Sequence, residues 1–383
     1  MVYKTPELGP EEESALRAID RVRKELRYRT AEPRRWVGSV RRVLAARAIQ
    51  GSNSIEGYNV SIEDAIAAID GEPLADARNL DAQAVSGYRR AMTYVINLAQ
   101  DEHFEYSAAL VRSLHFMMTE YSLEAWPGRW RPGPIWIRNE ASGAVVYEAP
   151  EHEVVPELIK ELVTELESDT TTPPVVRAAM AHLNLVMIHP FRDGNGRMSR
   201  CIQTLVLARE KILAQELSSI EEYLGRNTSR YYDVLAEVGQ GAWNPSNDPR
   251  PWVRFCLEAH YVQGESVLRR LRESGQMWIE LEKLREAARL PERVTAALFD
   301  ATIGLRVRNV SYRAQLRNWG EEISHQVGTT DLRAMVNAGF LQSHGRNRGA
   351  YYDASATLLA VRTKARGSRQ PIDISSLFDP SVN

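Results

Sequence analysis

Cysteine is scarce: Cys201 and Cys256 are the only two in 383 residues, and they stand far apart. That argues against a disulfide framework and against a cysteine-built structural zinc site. Long apolar runs are missing as well, and without one of about 18 residues no membrane span is expected. A charge of one sign is also absent. The 48 Lys and Arg nearly cancel the 50 Asp and Glu, leaving a formal net charge of −2. This argues against a chain that coats nucleic acid along its whole length, while leaving room for one basic domain. The opening segment MVYKTPELGPEEES is polar and acidic, unlike a signal peptide. What is present is ordinary for a folded protein, 44% hydrophobic and 26% charged residues, too apolar for disorder. At about 100–200 residues per domain, the length predicts two or three domains with sizeable cores. The expectation is a soluble, cytoplasmic protein.

Helical periodicity dominates the chain. Leu16, Ile19, Val22 and Leu26 recur at spacings of three and four within 11–30, opposite an arginine-rich face. A second helix is expected over 35–50, broken at GSNSIEGYN. Ser61 as N-cap, with Asp64 three residues on, opens a third helix; Gly71 and Pro73 stop it. Further helices are expected over 80–100, 106–122, 152–168, 174–188, 197–215, 228–238 and 249–285. Residues 127–149 differ, being rich in Gly, Pro, Trp and Val. There Ile135-Trp136-Ile137 and Val145-Val146-Tyr147 flank a polar turn with Asn139, Ser142 and Gly143, which reads as a β-hairpin. After about residue 365 the composition suggests a disordered tail.

The chemistry concentrates in residues 189–200, HPFRDGNGRMSR, at the junction of two apolar-periodic helices. Val175, Ala179, Leu183 and Val186 precede it; Ile202, Leu205 and Val206 follow. Gly194-Asn195-Gly196 ahead of a helix N-terminus can form a nest of N–H groups that binds phosphate oxygens. Arg197 and Arg200 share the first turn, where both forks can reach one polyphosphate through bonds roughly twice as strong as neutral ones. Asp193 is a hard oxygen ligand beside that site, the arrangement Mg²⁺ favours. His189, with an unperturbed pKa of about 6.5, is the natural general base. A base, a metal carboxylate, an anion hole and two arginines describe phosphate-anhydride chemistry. Neither the Walker pattern nor the kinase signature set occurs.

This stretch resembles the Fic family motif H-P-F-x-[D/E]-G-N-G-R-x-x-R at every specified position: His189, Pro190, Phe191, Asp193, Gly194, Asn195, Gly196, Arg197 and Arg200. The resemblance implies a mostly α fold, a Fic-type helical core with a β-hairpin flap, and an ATP-dependent nucleotidyltransferase that moves AMP onto a Ser, Thr or Tyr hydroxyl of a protein. It implies His189 as the base, Asp193 as the Mg²⁺ ligand and the nest on the α- and β-phosphates. Arg197 would take the β-phosphate, Arg200 the γ-phosphate, and Phe191 would anchor the loop in the core.

Three other stretches fit the same family. The hairpin around Ile135, Trp136 and Ile137 looks like a flap that pairs with an extended target segment by strand addition. NTSRYYDVL resembles the stretch near adenine and ribose, with Tyr231 and Tyr232 lining the pocket; two helix-core tyrosines is the other reading. SNSIEG, from Ser52 to Gly57, fits the inhibitory pattern [S/T]-x-x-x-E-[G/N]. The family implies that Glu56 pairs with Arg200 and obstructs the γ-phosphate. A 100-fold suppression requires about 2.7 kcal/mol, within the roughly 1.5–3 kcal/mol of one hydrogen bond to a charged group.

Residues 290–350 hold eight arginines against five acidic residues. ISHQVGTTDLRAMVNAGFLQSHGRNRGAYYD resembles the end of a winged helix-turn-helix. Ser324 would cap the recognition helix, Val327, Leu332, Met335 and Val336 would pack inward, and Gly339 would close it. Phe340-Leu341 and Tyr351-Tyr352 would form wing strands. His325, Gln326, Thr329, Thr330 and Arg333 share a polar face, and with Arg346 and Arg348 of the wing tip they are the candidate DNA contacts. Glu321 and Glu322 lie near that surface, so DNA, a protein partner and dimerisation all remain open. The expected division is a helical region with the inhibitory motif over 1–85, a catalytic core over 86–284, a winged helix over 285–360 and the tail beyond. Two other functions fit the same residues. One is a DNA-binding regulator that uses the site as a nucleotide sensor; the other is removal of AMP from a target.

Overall fold

The computed structural model describes every residue except 33, 71–78, 139–142, 211–216, 218, 346–348 and 383. Among the described residues the fold is helical, with two small antiparallel hairpins, in keeping with the periodicity. Contacts divide the chain into two units. One comprises Met1–Arg27, Leu44–Glu265 and Asp373–Asn383; the other comprises Tyr28–Val43 and Ser266–Ile372. This is not a division at 85 and 285. Ala15, Ile19, Ile49 and Val85 belong to the same buried cluster as the residues around the motif, so the N-terminal helices and the motif share one core.

From the N-terminus the chain runs α1 (Pro10–Ala31), α2 (Val37–Ile55), α3 (Ile62–Asp70), α4 (Leu80–Leu98), α5 (Ala108–Thr119), β1 (Trp136–Arg138), β2 (Val145–Glu148), α6 (Val155–Ser168), α7 (Pro174–Ile188), α8 (Asn195–Arg209), α9 (Glu221–Arg226), α10 (Thr228–Gly239) and α11 (Arg250–Ala287). These lie in the first unit except the last residues of α1, the first of α2 and the second half of α11, which are assigned to the second. Helices α7 and α8 pack on each other extensively. Both are buried on nearly every face, the mark of a core helix rather than a surface one. On α1, Ala15, Ala18, Ile19, Val22 and Leu26 face inward, and Glu11, Glu12 and Glu13 sit in its first turn, where the helix dipole favours negative charge.

Helix α2 corrects the expected break at GSNSIEGYN. It continues through Ser52 because Gly51 is a contact point and not a terminator. A Cβ on Gly51 would stand 2.6 Å from the Glu221 carbonyl oxygen of α9. The helix ends at Gly57, whose φ of +81° suits glycine. The Gly57 amide donates to the Ser54 carbonyl and the Tyr58 amide to the Asn53 carbonyl, both at 3.1 Å, which is a Schellman turn. At α3, the Asp64 amide donates to Ser61 Oγ at 3.0 Å and Ser61 Oγ donates to Asp64 Oδ2 at 2.8 Å. The expected stop at Gly71 and Pro73 lies outside the described residues.

In the first hairpin Trp136 faces Glu148 and Ile137 faces Tyr147, with an irregularity before Arg138. Tyr147 turns inward and its hydroxyl donates to the Met187 carbonyl at 2.9 Å, tying the hairpin to α7. Of its turn, Asn139 and Ser142 lie outside the described residues. The C-terminal tail, expected to be disordered, is held in the first unit. Leu377 is buried, and Ser14 Oγ donates to the Leu377 and Asp379 carbonyls at 3.1 and 2.9 Å. One apolar pair, Leu377-Phe378, anchors a segment whose composition is otherwise polar. No helix among the described residues is long and apolar enough to cross a membrane.

The second unit contains α12 (Thr295–Ile303), α13 (Asn309–Asn318), α14 (His325–Asn337), β3 (Leu341–His344), β4 (Tyr351–Ala354) and α15 (Ala356–Arg366). Strands β3 and β4 pair antiparallel, and Val307 adds a bridge to Tyr352. Ser324 Oγ accepts the Val327 amide at 3.2 Å as N-cap of α14. Leu332 and Met335 are buried. Val327, expected inward, is 37% exposed, because the small Gly328 beside it is the residue that packs against Asn309. Asp331 is buried and paired with Arg293 through two bonds of 2.7 and 3.0 Å, with the Tyr312 hydroxyl donating as well.

Candidate active site

The loop between α7 and α8 is built by two left-handed residues. His189 ends α7 with φ +50° and Gly194 opens α8 with φ +78°. A histidine in that region costs on the order of 1–3 kcal/mol and persists only where its surroundings over-determine it. They do here. The His189 amide donates to the Leu185 carbonyl at 3.1 Å, and Pro190 prevents any further helical turn. Arg131, almost fully buried, donates from Nε to the His189 carbonyl at 2.9 Å and from Nη1 to Gly133 at 2.8 Å, and its Nη2 reaches the Pro150 carbonyl. Its own amide donates to the Pro190 carbonyl at 2.9 Å. One guanidinium thus joins the base of the hairpin to the backbone of His189.

The His189 ring is oriented by its other nitrogen. Nδ1 lies 3.2 Å from the Val186 carbonyl, which can only accept, so Nδ1 carries the proton and Nε2 keeps a lone pair. Burial lowers the His189 pKa to about 4, against the opposing effect of the Val186 bond. The imidazole is neutral at physiological pH, the form a general base requires.

Asn195 closes the loop. Its Oδ1 accepts the Phe191 amide and its Nδ2 donates to the Phe191 carbonyl, both at 2.9 Å. Phe191 is fully buried, a burial that contributes roughly 1.5–3 kcal/mol. It is sandwiched by His115, with centroids 3.7 Å apart, and by Trp130 at 5.1 Å. The Gly128 amide donates to His115 Nδ1 at 2.9 Å, so Nε2 carries the proton and donates to the Asp193 carbonyl at 3.0 Å. Burial lowers the His115 pKa to about 4.

At the start of α8 no side chain caps the first amides. The carboxylate of Glu56 stands over them: a Cβ on Gly196 would meet Glu56 Oε1 at 2.1 Å. Glu56 Oε1 accepts Arg200 Nη2 at 2.7 Å. Ser52, one turn earlier on α2, accepts Arg200 Nε on Oγ at 2.7 Å and Nη2 on its carbonyl at 2.9 Å. The structure therefore brings Ser52 and Glu56 together with Arg200, which lies 148 and 144 residues further along the chain. Arg197 is equally buried. Its Nη1 donates to the Tyr121 hydroxyl at 3.3 Å, and its guanidinium lies over the Tyr58 ring, 4.8 Å from the centroid. Arg197 Nε and Nη2 and Arg200 Nη1 are buried without a hydrogen-bond partner. Asp193 is half exposed; Oδ1 accepts the Gly194 amide at 2.7 Å, and Oδ2, 3.7 Å from Arg197, is a hard oxygen able to hold Mg²⁺.

The remaining expected residues divide. Tyr232 is 47% exposed and its hydroxyl donates to the Ile55 carbonyl at 3.3 Å, next to Glu56. Tyr231 is buried and bonds His182 Nε2 at 3.0 Å. Of these two successive residues of α10, one faces the interior and the other is turned outward. Of the hairpin residues, Ile135 and Ile137 pack on the core while Trp136 is 45% exposed. Gln326, Thr330 and Arg333 are exposed on α14; Arg346 and Arg348 lie outside the described residues. His115, Arg131, Tyr58 and Tyr121 do not emerge from motif reading. His115 alone left a trace, a histidine in the buried stripe of Leu110, Val111, Leu114 and Met118.

Residues 105–207 match the Fic/DOC family. The chain is 27% identical over 209 residues to the protein adenylyltransferase fic-1 of Caenorhabditis elegans, covering 54% of this chain and 37% of that one. It is 40% identical over 88 residues to the protein adenylyltransferase Fic of Aedes aegypti, covering 22% and 15%. The chain thus spans well under half the length of these curated relatives. Among solved structures, a Fic family protein from Desulfovibrio desulfuricans G20 superposes with a TM-score of 0.57 at 23% identity, over 95% of this chain and 99% of that one. Fic-1 from C. elegans superposes with a TM-score of 0.51 at 22% identity, over 67% and 72%. At these identities the structures establish a shared fold.

Proposed function

The chain carries a Fic/DOC family domain, and from that premise we propose that it is a protein adenylyltransferase, moving AMP from ATP to a Ser, Thr or Tyr hydroxyl of a protein, itself included. The observation that carries this reading is the set of unpartnered guanidinium donors on Arg197 and Arg200 at the N-terminus of α8. A buried donor left unsatisfied costs about 1–3 kcal/mol, and more when charged. Polyphosphate oxygens are the acceptors that match two forks beside a helix N-terminus.

In the reaction the target hydroxyl oxygen attacks the α-phosphorus. Its proton passes to Nε2 of His189, and the P–O bond to pyrophosphate breaks, with pyrophosphate leaving on that electron pair. Arg197 holds the β-phosphate and Arg200 the γ-phosphate. Asp193 would hold Mg²⁺, which supplies charge neutralisation at the phosphates. The hairpin offers its outer edge to an extended target segment. Glu56 inhibits by occupying Arg200 and the space over Gly196, so the γ-phosphate cannot seat.

A second reading, removal of AMP by an activated water, is favoured by one detail: the Glu56 side chain is 23% exposed, a carboxylate open to water beside the phosphate site. The second unit supports a winged-helix reading, with α14 as recognition helix and β3–β4 as wing. The test is incubation of the Glu56→Gly protein with labelled ATP, alone and with a cell lysate, beside its His189→Ala counterpart. AMP label on protein that depends on His189 supports transfer. No label with Glu56→Gly, together with loss of label from a pre-modified target incubated with the parent protein, whose Glu56 is intact, supports removal. Neither result would reject the catalytic reading.

A further inference from the structure

The segment that carries Glu56 also carries a second cover. Tyr58 follows Gly57, and the Schellman turn fixes its position relative to Glu56. Its ring lies over Arg197 at 4.8 Å. Tyr121, just past α5, braces it: the Tyr121 hydroxyl accepts Arg197 Nη1 at 3.3 Å and donates to the Tyr58 hydroxyl at 3.4 Å. With Tyr58 in place Arg197 has no exposed surface, and Arg200 has 1%. Glu56 makes its contact with Arg200 and not with Arg197. Removing the carboxylate therefore leaves the first fork covered.

We propose that Tyr58 is a nucleotide-specificity gate: its ring closes the second-phosphate position on Arg197, independently of the closure of the third-phosphate position by Glu56. The proposal rests on the assignment of Arg197 and Arg200 to the β- and γ-phosphates. Its consequence is a division by ligand. Glu56 discriminates against a nucleoside triphosphate and is blind to a diphosphate. Tyr58 discriminates against both and is blind to a monophosphate. An aromatic ring suffices for the cover, so phenylalanine should retain it.

The test is calorimetric titration of the full-length chain with ATP, ADP and AMP in Mg²⁺, for the parent, Glu56→Gly, Tyr58→Ala, Tyr58→Phe and Tyr121→Phe. Glu56→Gly should tighten ATP alone. Tyr58→Ala should tighten ADP and ATP roughly tenfold, about 1.4 kcal/mol, in the range of a partly desolvated cation–π contact, and leave AMP unchanged. Tyr58→Phe should match the parent within about twofold, and Tyr121→Phe should fall between parent and Tyr58→Ala. Unchanged ADP affinity in Tyr58→Ala, or an equal change for AMP, would overturn the gate. If Tyr58→Ala does not fold, an ADP affinity in Tyr121→Phe equal to the parent's overturns it instead. If Glu56→Gly tightens ATP while the Tyr58 arm fails, only the gate is lost. If no variant binds ATP, the adenylyltransferase reading falls and the gate with it.

Discussion

His115 lies flat against Phe191, ring centroids 3.7 Å apart and planes 2° from parallel. The contact holds a neutral imidazole between the Gly128 amide and the Asp193 carbonyl. A charged ring could not accept from Gly128, so protonation would break one of the two bonds that brace the loop.

Acid stability follows from this. His115, His182 and His189 have pKa values lowered by burial to about 4, 3 and 4, and burial takes His260 well below its ordinary value. Below about pH 6.5 the unfolded chain binds a proton on each histidine while the folded chain does not, so stability is lost as pH falls toward 4. Each contributes up to about 1.4 kcal/mol per pH unit. Glu221 acts oppositely. Burial raises its pKa to about 7, and the stability it contributes is lost as pH rises through 7. One proton opposes up to four, so the urea midpoint should be lower at pH 5 than at pH 7.5, and His115→Asn should flatten the difference. Equal midpoints at the two pH values would refute this.

His189→Ala should reduce AMP transfer by about 10²–10⁴-fold, the usual contribution of a positioned base, and leave Mg-ATP binding largely intact. The proposed phosphate-facing groups belong to Asp193, Arg197 and Arg200, so the two functions should be separable. Labelling at the parent rate would remove His189 from its role.

Glu56→Gly should raise AMP transfer, and Arg200→Ala should abolish the gain. The first change leaves Arg200 bonded to Ser52, so the fork keeps its direction and the fold should survive. The second removes the fork proposed to hold the γ-phosphate. Initial rates at saturating ATP and Mg²⁺ decide the matter; equal rates for parent and Glu56→Gly would end the autoinhibition claim.

Arg131→Lys should fail to rescue Arg131→Ala in kcat, since one ammonium cannot serve His189, Gly133 and Pro150 in a plane. Full activity in the lysine variant would mean that the clamp is dispensable.

For the second unit, a duplex-binding titration should show affinity falling with salt at a slope of roughly −0.9 per neutralised phosphate, and Arg333→Ala should change sequence preference if that side chain reaches a base. Glu321 lies 3.9 Å from Arg293 and Glu322 3.8 Å from Arg317, so part of the acidic charge near α14 is locally offset. No binding to any duplex at about 50 mM salt, a Debye length near 14 Å, would shift the role to protein interaction or dimerisation.

The sequence made the reactive loop legible because its geometry is local: a proline ends α7, a glycine opens α8, and the side chains between them follow from that turn. The helices before and after were legible through their apolar spacing. What was hidden depends on distance along the chain. Arg131 and His115 work on groups 58 and 78 residues away, and neither sits in a pattern of its own. Gly51 reads as a break until α9 is seen against it, and Tyr231 and Tyr232 are equivalent until the phase of α10 is known. Val327 faces outward, against its apolar character, because the neighbouring Gly328 takes the buried position.

The Schellman turn at Gly57 has a kinetic meaning. Glu56 and Tyr58 both sit just past the C-terminus of α2, whereas Ser52 is held about one turn further in. Terminal helical turns open and close on the sub-microsecond scale and at the low end of local stability. Uninhibited activity would then be governed by the small population in which that single turn is unwound, without any movement of the rest of α2. The proposed resting activity would be leaky in proportion to that population, and a binding event that merely disfavours the turn could switch it. Hydrogen exchange would reveal this as fast exchange at the amides of Gly57 and Tyr58 beside protected amides around Ser52.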